Sequence, residues 1–324
     1  MNIYDIASKA GVSIATVSRV LNNNKNVSEK TRNKILDIMK DEEYTPNGVA
    51  RSLATNRSKT IGILVPDIRN NFHFESAYAI EKLLYKSGYV SILCNTGESL
   101  KDKINYINVL RSKKVDGIIT IGAVYGEEEL LDILKKIHTN IPVVLLNNYD
   151  KGLLSVYCDE ASGIIEAVNY LFNKGYKKPI FVSDKKAFKT RAYKEKIRGF
   201  SLGVKNRCKF IEMQVENDDD FDELIDYITQ NHVDAIQFEK DTIAIKFLSK
   251  VLGKEINIPQ DLGIIGFDNI DLTNHTRLKI SSVDHKINTH ADIAVSVLLK
   301  ALEGNVEDVN IVIKPEFIAK ETTR

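Results

Sequence analysis

A chain of 324 residues with 43% hydrophobic content is long enough to bury the cores of two or three domains. Its net charge is only +1, but residues 1–59 hold ten Lys and Arg against six Asp and Glu, a net of +4, whereas the remainder holds 35 against 38, a net of −3. A positive amino-terminal segment favours contact with phosphates, and because +4 is modest, two copies acting together are expected. The three cysteines lie far apart without metal-ligand spacing, and the sequence shows no signal peptide and no long apolar run. These features predict a cytoplasmic protein with reduced thiols that does not enter a membrane.

The first residues predict two short helices joined by a tight turn. Four apolar residues have the spacing of one helix face: Ile3, Ile6, Ala7 and Ala10. Gly11 ends that pattern, and Ser13 is a suitable N-cap for a second helix. The apolar face of the second helix consists of Val17, Val20 and Leu21. Such a pair is a helix-turn-helix, whose second helix can enter a DNA major groove and place Arg19 against guanine. The alternative is an ordinary helical hairpin with a solvated Arg19.

A third helix is predicted to complete a small three-helix domain. Ser28 caps this helix, and its apolar side consists of Ile35, Leu36 and Met39. Pro46 ends the segment because it forces the preceding Thr45 out of helical geometry. Residues 46–55 are too few and too polar for a stable isolated helix, and Leu53 has no obvious core to join. This stretch is either a flexible linker or a helix that forms on DNA, with Leu53 wedged into a minor-groove base step.

Four motifs stand in order in these first sixty residues: Tyr4-Asp5-Ile6-Ala7, Gly11-Val12-Ser13, Ala15-Thr16-Val17-Ser18-Arg19-Val20, and Pro46-Asn47 through Ala50-Arg51-Ser52-Leu53. Together they resemble the lactose-repressor/galactose-repressor family of bacterial transcription regulators, and weaker matches continue to the C-terminus. The resemblance implies a helix-turn-helix DNA-binding domain over residues 1–45 and a hinge helix or linker over residues 46–59. It further implies a two-lobed effector-binding and dimerisation domain over residues 60–324.

The resemblance also implies how the chain binds double-stranded DNA. A homodimer is expected to bind a near-palindromic operator, with Arg19 contacting bases directly and Ile14 and Ala15 close to base edges. Six polar residues are placed to touch phosphates: Ser13, Thr16, Ser18, Asn22, Asn26 and Tyr44. Four residues belong to the expected minor-groove contact of the hinge: Asn47, Ala50, Arg51 and Leu53.

From Thr60 the pattern changes to alternating strands and helices. Short apolar runs suited to buried parallel strands recur at residues 61–65, 90–94, 117–121 and 142–146, and again at residues 179–182, 210–213, 234–238 and 262–267. This alternation predicts an α/β core of two doubly wound parallel-sheet lobes, divided near Asp150, with a crossover near residues 280–310. Ligands of such sheets bind beyond the carboxyl ends of the strands, so two facing lobes form a cleft, as in periplasmic binding proteins.

By family match, the cleft binds a sugar or a sugar-derived effector. Asp268 is expected to accept hydrogen bonds from ligand hydroxyls or amines, and Asp241 either contacts the ligand or caps a helix. Four further cleft positions depart from the residues common in the family: Lys196 for Arg, Lys240 for Asn or Gly, Asn147 for Asp, and His285 for Gln. Because the chain has no Trp, Phe72 and Phe74 are the candidates for stacking on a sugar face.

Two interpretations of the lysines stay open. Lys196 and Lys240 either meet a phosphate or acid group of the effector or extend into solvent, as lysines usually do. Catalysis is not expected, since Asp218-Asp219-Asp220 is interpreted as a solvated turn in a polar loop and no phosphate-binding glycine loop or nucleophile elbow occurs. Together with the resemblance, the sequence predicts a repressor of carbohydrate-utilisation genes that is not an enzyme and needs no metal or cofactor. The alternative is a catabolite-control-type global regulator with a phosphorylated protein partner, for which Arg277 is a candidate contact.

Overall fold

The computed structural model describes residues 2–21, 26–42, 57–185, 190–305 and 309–324. The chain divides into two compact units, Met1–Ser58 and Lys59–Arg324. Six of the residues expected to contact DNA lie outside the described ranges: Asn22, Tyr44, Asn47, Ala50, Arg51 and Leu53.

The described part of the first unit consists of α1 (Ile3–Ala10), α2 (Ile14–Leu21) and α3 (Glu29–Asp41). Gly11 ends α1 at a left-handed φ of 69°, where its N–H donates to the carbonyl groups of the last turn. The prediction that Ser13 caps α2 is confirmed, since its hydroxyl accepts a hydrogen bond from the Thr16 N–H at 3.2 Å. Ser28 caps α3 in the same way. Helices this short are marginal alone, so the caps and the shared core are what stabilise them.

A small apolar core joins the three helices. Seven side chains are buried in it: Ile6, Ala7, Ala10, Val17, Val20, Ile35 and Met39. The prediction that Leu36 belongs to this core is wrong, because its side chain is 47% exposed. The apolar stripe of α3 runs through Ile35, Ile38 and Met39, and Leu36 lies about 100° around the helix from Ile35.

The second unit contains two sheets in its described residues. The strands of the first sheet are β1 (Thr60–Val65), β2 (Val90–Asn95), β3 (Gly117–Ile121), β4 (Val143–Leu146), β5 (Leu154–Cys158) and β11 (Asn310–Ile313). They are parallel, in the order β11-β5-β4-β3-β1-β2. Its helices are α4 (Asn71–Lys86), α5 (Leu100–Ser112), α6 (Glu128–His138) and α11 (Ile287–Leu302). Because α4 and α11 cover one face and α5 and α6 the other, the central strands are buried on both sides.

The second sheet repeats this plan. Its strands are β6 (Pro179–Asp184), β7 (Glu212–Val215), β8 (Ala235–Phe238), β9 (Gly263–Asp268), β10 (Ser281–Asp284) and β12 (Glu316–Ile318). Their order is β12-β10-β9-β8-β6-β7, and only the edge strand β12 runs antiparallel to its neighbour. Its helices are α7 (Glu160–Asn173), α8 (Arg191–Val204), α9 (Asp218–Asn231) and α10 (Asp241–Val251). The pairs α7–α8 and α9–α10 cover opposite faces. The predicted fold class, an N-terminal helix-turn-helix followed along the chain by two doubly wound lobes, is confirmed.

The crossing points between the two sheets differ from the sequence expectation. β5 lies beyond Asp150 but pairs with β4 and β11 of the first sheet, so the chain leaves that sheet after Cys158. It returns after β10 through α11 to β11, and crosses once more to reach β12. The predicted division near Asp150 is therefore one strand too early, because the short strand Leu154–Cys158 still belongs to the first sheet.

The structure of the acidic run at residues 218–220 also differs from the predicted polar loop. It forms the first turn of α9, where Asn217 is the N-cap and Asp220 completes a capping box, with its side chain nearly buried. Carboxylates at this position interact favourably with the positive end of the helix dipole. The interpretation as a solvated loop is wrong.

None of the described helices is long and apolar enough to cross a bilayer.

Candidate functional site

The outer face of α2 carries the side chains expected to contact bases. Ile14 is 39% exposed, and Ala15 and Arg19 are exposed as well, whereas Val17 and Val20 on the opposite face are buried. Because the apolar stripe of α2 packs into the three-helix core, it determines that Ile14, Ala15 and Arg19 point outward.

The described candidates for phosphate contact lie around this face. Ser13 and Thr16 share a hydrogen bond between their hydroxyl groups at 3.0 Å, at the amino end of α2. Ser18 is half-buried, and Asn26 is exposed before α3. An amino-terminal helix end with exposed polar groups is a suitable place for a phosphate oxygen.

Two strand ends of opposite lobes bring unusual backbone geometry to the cleft. Asp268, the last residue of β9, has a φ of 105°, and Asn147, directly after β4, has a φ of 58°. Such conformations cost a residue other than glycine about 1–3 kcal/mol and often accompany ligand sites. The Asp268 carboxylate accepts no hydrogen bond from the residues that the structure describes. Burial raises the pKa of Asp268 to about 6, although the positive charge of Lys196 opposes this shift.

The two cleft lysines do not extend freely into solvent. Lys196 is 8% exposed, and its Nζ donates to the Glu239 carbonyl oxygen at 2.8 Å while lying 3.8 Å from the ring centre of Phe267. The Nζ of Lys240 lies 2.8 Å from the carboxylate of Asp184. The solvent interpretation is therefore wrong for Lys196, and the charge of Lys240 is paired within its own lobe.

Asp241 has neither of its expected roles. It is fully buried, with Oδ1 accepting from the Ser282 hydroxyl at 2.6 Å and Oδ2 accepting from the Ile270 N–H at 2.9 Å. The N-cap of α10 is Lys240, and Asp241 is its first helical residue. Both carboxylate oxygens therefore connect α10 to segments beside β9 and β10. Asp241 stabilises this part of the lobe and is not accessible to a ligand.

His285 forms a hydrogen bond between the two lobes. Its imidazole is 1% exposed, and its Nε2 lies 3.1 Å from Oδ1 of Asn147, at the end of β4. Burial lowers the pKa of His285 far below its ordinary value, so the ring is neutral and Nε2–H donates to the amide oxygen. The ring also meets Phe72 edge-on, with centres 4.7 Å apart. Phe72 is therefore packed against His285, while Phe74 is 52% exposed and stacks on Tyr78.

Sequence reasoning missed the ion pair between Arg191 and Glu160. Nη2 of Arg191 donates to both carboxylate oxygens of Glu160 at 2.8 Å and to the Cys158 carbonyl at 3.2 Å. Arg191 begins α8 and Glu160 begins α7, so the rule that helix starts after strand ends line the cleft could have identified both.

A cavity of about 590 Å3 opens between the lobes beside this pair, with Asn148 on one wall and Arg191 on the other. Within the described chain, Nδ2 of Asn148 and Nε of Arg191 are buried donors without a partner. A second cavity of about 500 Å3 is lined by Glu75 of the first lobe and Asp268 of the second. Both volumes are typical of small-molecule sites.

Comparison with known proteins identifies both units. The chain matches the lacI family of bacterial regulatory proteins over residues 2–47 and a periplasmic binding protein-like domain over residues 168–323. It is 34% identical to an HTH-type transcriptional regulator of Lachnoclostridium phytofermentans, across 100% of this chain and 99% of that protein. It is 31% identical to catabolite control protein A of Staphylococcus xylosus, with the same coverage of both chains.

Solved structures show the same fold. The lac repressor dimer bound to operator and the anti-inducer ONPF superposes with a TM-score of 0.88 at 20% identity, covering 100% of this chain and 99% of that one. The complex of the transcriptional regulator CelR with cellobiose gives a TM-score of 0.69 at 19% identity, covering 99% of each chain.

The resemblance seen in the sequence is thus confirmed by relatives that are more than 30% identical along their whole length. The helix-turn-helix, the exposed face of α2 and the two-lobed unit all agree with that relationship. The first of these relatives is a regulator of transcription. The chain belongs to the lacI family of bacterial regulatory proteins and is a DNA-binding transcriptional regulator.

Proposed function

We propose that this regulator represses carbohydrate-utilisation genes and that a sugar or sugar derivative in the interlobe cleft changes its affinity for DNA. The protein binds its operator as a homodimer, as the lac repressor does in its complex with operator. CelR, which binds cellobiose, provides the precedent for a sugar in this fold. In this proposal the chain consists of a DNA-binding domain over residues 1–45, a hinge over residues 46–59 and an effector-binding domain over residues 60–324.

One observation carries this proposal: a single chain joins an outward-facing recognition helix to a cleft with an unpaired carboxylate. Arg19 reads guanine in the major groove, and Ile14 and Ala15 contact neighbouring base edges. Ser13, Thr16, Ser18 and Asn26 hold the phosphates that fix the register. In the cleft, Asp268 accepts hydrogen bonds from effector hydroxyls.

The effector acts through the angle between the two lobes. The chain crosses between the sheets three times in its described residues, and His285 lies at one crossing, bonded to Asn147 of the other lobe. A ligand that contacts Asp268 and Asn147 together favours one angle over another. A difference of about 1–3 kcal/mol between the two states is enough for a useful switch.

The test is selection of bound duplexes from a random library by the full-length protein at moderate salt. We expect a near-palindromic consensus, and we expect the Arg19→Ala variant to recover a consensus that has lost its preference at one base pair in each half-site. A consensus with only one half-site would contradict the dimer. Failure of the unsubstituted protein to enrich any sequence would contradict the operator proposal.

A second candidate is a global regulator controlled by a phosphorylated protein, because catabolite control protein A is a full-length relative. Arg277 is exposed and available to such a partner. In this case a phosphorylated carrier protein should tighten operator binding, and Arg277→Ala should abolish that response without changing the affinity of the protein alone. Operator binding that changes with sugars and is indifferent to the phosphoprotein would reject this candidate.

A further inference from the structure

A separate cavity of about 270 Å3 opens at the amino ends of β6, β7 and β8 and beside the end of α9. Because these three strands are parallel, this is the edge of the second sheet away from the cleft. None of its lining residues lines either cavity between the lobes. The volume is just below the range of about 300–1,000 Å3 that is typical for drug-sized ligands, so the amino-end cavity suits a smaller molecule.

The walls of the amino-end cavity are mainly apolar. Ile180 in β6 and Val233 just before β8 are both buried in the protein core. Ile211, just before β7, and Tyr227 of α9 are half-buried and line the same cavity. Since apolar surface in an open cavity is in contact with water, a ligand that covers these side chains with an apolar group is favoured.

The loops that lead into these strands carry a local excess of positive charge. Residues 174–178, 205–211 and 232–234 together hold six Lys and Arg against one Asp, whereas residues 60–324 as a whole have a net charge of −3. All six cations are exposed, and none of them forms an ion pair with a carboxylate in the described chain. An excess of unpaired cations around a concave surface favours an anionic ligand.

Two of these cations line the amino-end cavity itself. Nζ of Lys178 donates to the Asn231 carbonyl oxygen at 3.3 Å, so part of its charge offsets the negative end of the α9 dipole. Lys209 has no hydrogen bond or ion pair in the described chain. The one carboxylate in these loops, Asp234, accepts from the backbone N–H groups of Lys177 and Lys178 at 2.6 Å and 2.8 Å. It therefore does not neutralise the lysine side chains.

We propose that the amino-end cavity binds small carboxylic acids with an apolar body, a ligand class and a site distinct from those of the effector cleft. The apolar group covers Ile180 and Val233, and the carboxylate lies at Lys209. A neutral molecule of the same shape keeps only the apolar contact, and a small anion such as acetate keeps only the charge. Because an ion pair at an exposed rim contributes little, the apolar group supplies most of the affinity and the carboxylate supplies the selectivity.

Cys208 reports whether the amino-end cavity is occupied. It lines the cavity and is half-buried, whereas Cys94 and Cys158 are buried. The full-length protein is alkylated with iodoacetamide, and the rate at each cysteine is followed by mass spectrometry. Burial raises the pKa of the Cys208 thiol and only the thiolate reacts, so the reaction is run at about pH 8.5. The probes are 3-phenylpropanoate, its amide and acetate, at equal ionic strength.

A ligand of this size is expected to bind with a Kd of about 1 mM, so 3-phenylpropanoate at about 10 mM should slow alkylation of Cys208 about tenfold. The amide should protect about threefold less, and acetate should not protect. Lys209→Gln should reduce protection by the acid to that by the amide. Lys205→Gln is the matched control, because Lys205 is an exposed lysine just before the same strand that does not line the cavity, and it should leave protection unchanged.

The buried cysteines separate binding in this cavity from a general effect of the probe. Alkylation of Cys94 and Cys158 depends on opening of the protein core, so the acid should leave their rates unchanged. Equal slowing of all three thiols would place the effect elsewhere and overturn the proposal. So would the absence of protection by the acid, equal protection by the acid and the amide, or full protection in Lys209→Gln.

Discussion

The stacked pair His285 and His290 makes stability depend on pH in a direction that the structure defines. The two rings lie 4.6 Å apart with an interplanar angle of 17°, and both are 1% exposed. Nδ1 of His290 lies 3.2 Å from the Lys286 carbonyl oxygen, so the neutral ring donates there. Burial lowers the pKa of His290 from 6.5 to about 4. The substitution His290→Gln removes the titrating ring and therefore tests this pH dependence.

Because the pKa of His290 is lowered in the folded state, the free energy of unfolding decreases as the pH falls. The unfolded chain binds a proton near pH 6.5 and the folded chain only near pH 4, so the stabilisation is present above pH 6.5 and is lost as the pH falls towards 4. Between pH 7.5 and pH 5, His290 should cost the folded state about 2 kcal/mol. Asp268 has the opposite effect. Because its pKa is raised to about 6, it increases the free energy of unfolding by about 1 kcal/mol as the pH falls from 7.5 to 5. His285 adds a loss of the same sign as His290.

Comparison of variants isolates the His290 contribution, since Asp268 and His285 remain in each. The free energy of unfolding is measured by urea titration of the full-length protein with circular dichroism, at pH 7.5 and pH 5. Unsubstituted protein should lose about 2 kcal/mol more than His290→Gln across this interval. His275→Gln is the matched control, because the His275 side chain is 67% exposed. Equal losses in the unsubstituted protein and His290→Gln would refute the reasoning.

Three further outcomes are expected. Arg19→Ala should weaken binding to the selected operator by about 1–3 kcal/mol and flatten the preference at one base pair per half-site, as measured by fluorescence anisotropy. Asp268→Asn should raise the unfolding free energy at pH 7.5 by about 1–2 kcal/mol, because burial holds the pKa of Asp268 near 6, while the operator response to sugars is lost. Gly199→Ala should destabilise the protein by about 1–3 kcal/mol in urea, because the new Cβ would lie 2.6 Å from the Ala161 carbonyl oxygen. Gly152→Ala is its control, since the nearest atom there is 3.4 Å away on a flexible lysine; equal effects at the two glycines would contradict this account of the packing.

Short-range features of this protein could be predicted from the sequence because their causes are local. Ser13 and Ser28 cap helices three residues before the N–H groups that they accept from, so the donor and the acceptor are both visible in the sequence. The apolar periodicity of α2 determines that Arg19 faces outward whatever else the chain does. The buried strands are continuous apolar runs for the same reason, since helices cover both faces of each sheet.

Contacts between distant residues were decided only by the tertiary structure. The bond from His285 to Asn147 spans 138 residues, and the pairing of Arg191 with Glu160 spans 31. No periodicity indicates which buried charge will meet which partner, so the sequence left both interpretations of Lys196 open, whereas the structure places its Nζ over the ring of Phe267. Leu36 shows the same limit on a smaller scale, since its hydrophobicity was visible but its angle to the core was not. Secondary structure depends on neighbours along the chain, whereas the chemistry of the cleft depends on which strand ends the sheet order brings together.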